Sequence, residues 1–91
     1  MDKQVILKIF GRVQMVMFRD FVQRKAKKLG LFGWVKNEDD GVVKVVAEGK
    51  KESLKELVSL CYNGPILAKV DKIDIDWREA TGGFDKFKIK Y

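Results

Sequence analysis

Histidine is absent from the 91 residues, and cysteine and proline occur once each, as Cys61 and Pro65. Without histidine there can be no Ser-His-Asp or Cys-His relay, no two-histidine metal motif and no imidazole general base. A lone cysteine closes no internal disulfide and supplies no cysteine-based zinc site, so packing must hold the fold, and a reducing cytoplasm is the expected setting. The apolar runs are only a few residues long, against the roughly 18 that a membrane span needs. Met1-Asp2-Lys3 leads directly into a strand-like run. Neither a signal peptide nor a membrane partner is therefore expected.

What is present fits one compact domain over residues 1–91, with 46% hydrophobic and 35% charged positions. Lysine and arginine number 19 against 13 acidic residues, a formal charge of +6 that favours an anionic ligand. Nucleic acid, an acidic membrane surface, a small phosphate ester or anhydride, or simply a lysine-rich solubilising surface would each account for it.

The hydrophobic period changes along the chain in a consistent order. Residues 4–10 alternate, with Val5, Leu7 and Ile9 on one face, and so predict a strand. Phe18, Phe21, Val22, Ala26 and Leu29 then fall at helical spacing, ended by Gly30, which tolerates a left-handed backbone. Leu31–Asn37 and Val42–Glu48 predict a hairpin turned at Glu38-Asp39-Asp40-Gly41. Helical spacing returns from Lys51 through Leu54, Leu57, Val58 and Cys61, and stops at Asn63-Gly64-Pro65. Val70–Arg78 and Phe87–Tyr91 predict two more strands. The order is the split β-α-β-β-α-β pattern of the ferredoxin-like α+β sandwich: a mostly antiparallel sheet, two helices on one face, and an extra C-terminal strand.

The helix start at Phe18 is chemically incomplete. No Ser, Thr, Asp or Asn stands just before it to accept the free N–H groups, and Arg19 puts a positive charge in the first turn, unfavourable by roughly 0.3–1 kcal/mol. An anion held by loop N–H groups and the Arg19 guanidinium would correct both faults. Water on the donors, with Asp20 offsetting the charge, is the alternative.

These residues resemble a known family. Gly11-Arg12-Val13-Gln14-Met15-Val16-Met17-Phe18-Arg19 is similar to the G-x-V-Q-G-V-x-F-R loop of acylphosphatases. Gly33-Trp34-Val35-Lys36-Asn37 is similar to their G-W-V-x-N strand, and Phe87-Lys88-Ile89-Lys90-Tyr91 to their F-x-I-x-Y ending. The resemblance implies a metal-independent hydrolase that needs no cofactor and cleaves the carboxyl-phosphate bond of acyl phosphates. Arg19 and Asn37 match the family's essential arginine and asparagine. The expected site has phosphate bound by the backbone of Gln14, Met15, Val16, Met17 and Phe18 and by Arg19, with Asn37 orienting the attacking water. The leaving carboxylate is stable as an anion, so no strong acid is required, and positioning with electrostatic stabilisation can carry the reaction.

Met15 departs from the pattern, standing where the family has glycine. A left-handed backbone there would cost methionine about 1–2 kcal/mol or misaim the cradle, whereas an ordinary dihedral would leave the side chain pointing harmlessly outward. Reduced turnover is expected. A non-catalytic phosphate- or partner-binding domain is the alternative function. An RNA-binding module is disfavoured because Val42–Glu48 lacks a stacking ring, so no nucleic-acid partner is expected. Asp39-Asp40 and Asp74/Asp76 are assigned to a turn and a solvent-facing strand, Trp34 and Trp77 to packing, and Cys61 and Met17 to the core. The chain is expected to act as a monomer on a small acyl phosphate and to accept inorganic phosphate or another small anion in the loop.

Overall fold

The computed structural model describes residues 2–91. Its elements are β1 (Asp2–Arg12), α1 (Phe18–Lys28), β2 (Phe32–Asn37), β3 (Val43–Lys50), α2 (Lys51–Asn63), β4 (Lys69–Glu79) and β5 (Phe87–Lys90). The strands form one sheet in the order β4-β1-β3-β2-β5, antiparallel except where β5 runs parallel to β2. Strand β3 lies between β1 and β2, and β1 lies between β3 and β4, so each helix spans a parallel pair split by a strand. This is the architecture expected from the sequence.

Both helices cover the same sheet face. Val5, Leu7 and Ile9 of β1 and Val43, Val45 and Ala47 of β3 are buried there against Phe18, Val22 and Ala26 of α1 and Leu54, Leu57 and Cys61 of α2. Burial of each large side chain contributes about 1.5–3 kcal/mol, so this layer supplies the main stabilisation. The Cys61 thiol is part of the core, and burial pushes its pKa up to about 12.

Helix α1 ends as its sequence predicts. Gly30, at φ 72°, donates to the Lys27 carbonyl, and Leu31 donates to that of Ala26. The Leu31 N–H is thus still closing the helix, which is why β2 starts one residue later than the apolar run. On β1, Gly11 sits at a register shift against β4 with φ 130°. A Cβ there would lie 2.2 Å from the Lys69 carbonyl oxygen, so only glycine lets β1 hug β4 before it leaves the sheet.

The tryptophans differ from expectation. Val35 faces the helices, so strand alternation turns Trp34 to the opposite, open face of the sheet, where it is only partly buried. Trp77 lies on edge strand β4 and stays 40% exposed, with the Lys51 ammonium 6.0 Å from its ring centre. Neither belongs to the buried core. Asp74 and Asp76 are exposed, as expected, and Asp40 accepts the Val42 N–H in the hairpin turn at 3.3 Å.

A buried carboxylate ties down the segment after β4. Glu48, 4% exposed, accepts hydrogen bonds from the Gln4 amide, the Thr81 N–H and hydroxyl, and the Gly82 N–H. Burial pushes its pKa up, but these donors outweigh burial and hold it below the ordinary 4.5. Because the native value is depressed, the stabilisation is full above the unfolded-state pKa and is lost as pH falls through the native one. Urea midpoints should stay level from neutral pH to about 5 and then fall, and Glu48→Gln should cost about 2 kcal/mol at neutral pH with a weaker acid dependence.

Candidate active site

The loop of residues 13–17 joins β1 to α1 and lies beside the end of β2. Its course is set by two residues in the left-handed region: Met15 at φ 60° and Met17 at φ 65°. Met17 is the residue before α1 and gives no side-chain cap; its carbonyl accepts the Phe21 N–H at 3.0 Å. Among the described residues, no backbone carbonyl accepts from the N–H groups of residues 14–20. A curved run of free donors therefore leads into a helix N-terminus, an arrangement suited to a tetrahedral anion.

Of the two backbone conformations considered for Met15, the structure has the left-handed one. Its backbone is left-handed, and its side chain is 98% exposed and directed away from the core. Met17, expected in the core, is 70% exposed, because its left-handed backbone aims the side chain outward. Phe18 anchors the loop instead. It is 1% exposed and packs edge-on against Phe21, with ring centres 5.9 Å apart.

Gln14 has a part that the sequence did not disclose. Its side-chain amide donates to the Glu38 carbonyl at 2.8 Å and the Val42 carbonyl at 3.0 Å. Both acceptors belong to the β2–β3 turn that follows Asn37, so one side chain locks the loop to the hairpin. The V-Q spacing marked the residue but not the direction of its side chain.

Arg19, on the first turn of α1, and Asn37, on the last residue of β2, line one open cavity of about 460 Å³ with Val13, Ile89 and Tyr91. Asp20 does not neutralise Arg19. Its carboxylate is engaged by Arg24 one turn later, at 2.9 Å. The Arg19 guanidinium instead lies 4.8 Å from the centre of the Tyr91 ring, which supports its plane while leaving its N–H groups free for an oxyanion. Asn37 is the second unsatisfied group: its Oδ1 is buried without a hydrogen-bond partner. Such an acceptor costs about 1–3 kcal/mol unless a donor reaches it, and a water in the cavity can be that donor. Tyr91 was legible as the end of an alternating strand and of the F-x-I-x-Y ending, but not as a partner of Arg19. Its place beneath Arg19 depends on β5 pairing parallel to β2, which no local pattern specifies.

Of the expected residues, Met15, Met17, Phe18, Arg19 and Asn37 line this one cavity, while Gln14 and Val16 are not among its lining residues. A family model described as acylphosphatase matches residues 5–89. An acylphosphatase of Salinibacter ruber is 42% identical over 98% of this chain and 94% of its own length. The crystal structure of acylphosphatase from Bacillus subtilis superposes with a TM-score of 0.95 at 42% identity, covering 98% of this chain and 99% of that one. The chain is also similar to part of full-length HypF in its phosphate- and nucleotide-bound form, with a TM-score of 0.91 and 30% identity. That match covers all of this chain and 12% of HypF. From the signature loop through the final strand, the chain belongs to the acylphosphatase family.

Proposed function

We propose that this chain hydrolyses acyl phosphates to a carboxylate and inorganic phosphate. The observation that carries the reading is the meeting, in one cavity, of free loop and helix N–H groups, an arginine without a carboxylate partner, and the orphan Asn37 oxygen. The N–H groups from Gln14 to Phe18 and the Arg19 guanidinium hold the phosphoryl oxygens and stabilise the charge that spreads over them in the transition state. Asn37 Oδ1 accepts a hydrogen bond from the attacking water and so aims the water's lone pair at phosphorus, opposite the leaving carboxylate. The water oxygen forms the new P–O bond as the bond to the carboxylate oxygen breaks. A phosphoryl oxygen of the substrate receives the proton, since asparagine is no base at this pH. Turnover by a monomer in a reducing cytoplasm is in keeping with a fold whose one cysteine is free and buried.

Met15 bears on stability more than on rate in this reading. Its backbone already has the left-handed conformation that glycine would take, so the adjacent donors keep their aim while the side chain stays in solvent. Methionine carries a strain of about 1–2 kcal/mol there, partly offset by the extra unfolded-state entropy of glycine.

Phosphate release from an aryl acyl phosphate, measured with a chelator present, tests these assignments. Arg19→Ala should lower kcat/KM by about 10³. Asn37→Ala should lower kcat by about 10²–10³ while leaving inhibition by inorganic phosphate unchanged. Near-normal turnover of Asn37→Ala would remove Asn37 from the reaction. Met15→Gly should raise stability by about 0.5–1 kcal/mol, read as a higher urea midpoint at constant slope. Its turnover should stay within about threefold of the natural chain, a change worth less than 1 kcal/mol of barrier. A tenfold gain in rate would instead show that methionine misaims the cradle.

A further inference from the structure

The sheet face opposite the helices carries an ordered array of charge that the reaction does not use. Strand pairing sets Lys8 opposite Lys44, Lys44 opposite Lys36, and Lys36 beside Lys90. Four lysines therefore stand in one row across β1, β3, β2 and β5, neighbours separated by about 4.8 Å at the backbone. Like charges directly opposite one another destabilise a sheet. Asp74 of β4 pairs directly opposite Lys8 and lies 3.8 Å from Lys72, which relieves the β1 end of the row. Further along, the carboxylates give less: Glu38 reaches Lys36 only at 3.9 Å, and Asp76 is held by Arg78 at 2.8 Å. On the same face Glu48 is saturated by its four donors.

Beside this row lie two rings. Phe32 and Trp34 are two residues apart on β2 and share the open face, with Phe32 40% exposed and Trp34 partly so. Strand geometry separates them by about 7 Å. Lys90 and Lys44 approach the Trp34 ring at 4.6 and 6.0 Å, and Lys88 pairs beside it from β5. The expectation of no nucleic-acid partner rested on β3 lacking a ring; the sheet supplies rings from the neighbouring strand. We propose that this face binds single-stranded nucleic acid, the lysine row tracking the phosphates and Phe32 and Trp34 receiving two successive bases. A row of cations with stacking rings alongside is the combination such ligands require, whereas an acidic peptide would have no use for the rings.

Anisotropy of a fluorescein-labelled oligouridylate of about twelve nucleotides, titrated from about 20 to 200 mM KCl, tests the proposal. Four lysines should give a slope of log K against log salt near −2.8, and Lys8→Gln/Lys44→Gln should reduce it to about −1.4. Phe32→Ala should weaken binding about tenfold at every salt concentration with the slope unchanged. Phosphate release should be unchanged in both variants, since none of these residues lines the catalytic cavity. Absence of saturable binding at the lowest salt would overturn the proposal. So would equal affinity for polyglutamate of matched charge, or an unchanged slope in the double-lysine variant. These readouts do not depend on turnover.

Discussion

The two hydrogen bonds from the Gln14 side chain set the spacing on which the catalytic cavity depends. The candidate anion cradle leads into the start of α1 and the candidate water-orienting group ends β2, two segments far apart in the chain. A neutral amide is well suited to this tether. It donates both protons to carbonyls of the hairpin turn and brings no charge near a site meant for an anion. With the loop so fixed, the left-handed residues Met15 and Met17 turn it out of strand geometry and into the start of α1.

The charge at that point is shaped by what is neutralised elsewhere. Asp20 occupies the first helical turn, where a carboxylate would offset Arg19, but Arg24 takes it up one turn later. Arg19 rests instead on the Tyr91 ring, which supports its plane without consuming its N–H donors. The preference of a helix N-terminus for negative charge is thereby left for a ligand. Orphan donors, an unpaired guanidinium and an orphan Asn37 oxygen are all unfavourable in isolation. The core bears that cost, with Val5, Leu7 and Ile9 of the sheet and Leu54 and Leu57 of α2 wholly buried between the two layers.

The order of elements was legible because each carries an unmistakable period and a physical stop: Gly30 for α1, Asp40-Gly41 for the hairpin, Gly64-Pro65 for α2. The cradle, Arg19 and Asn37 were legible because the loop contradicts ordinary helix capping and matches a known signature. Contacts between distant segments were not legible. That Gln14 spans to the hairpin, that Tyr91 lies under Arg19, and that Asp20 turns to Arg24 depend on strand order and rotamer choice. Met17 and Trp34 were misplaced for a related reason. A single apolar residue takes its side from the backbone conformation beneath it, which in one case is a left-handed turn and in the other the parity set by Val35.

The inert thiol has a stereochemical consequence. Burial in the core pushes the Cys61 pKa up to about 12, so almost none of it is thiolate at neutral pH, and it does not line the cavity. The chain has no histidine, and the carboxylate nearest the cradle is tied to Arg24. Among the described residues lining the cavity, Asp20 offers the one side-chain carboxylate, and it is paired with Arg24. In the proposed reaction water displaces the leaving carboxylate in a single step. A substrate made chiral at phosphorus with oxygen isotopes and sulfur would accordingly leave the site with its configuration inverted, the signature of one in-line displacement and not of two.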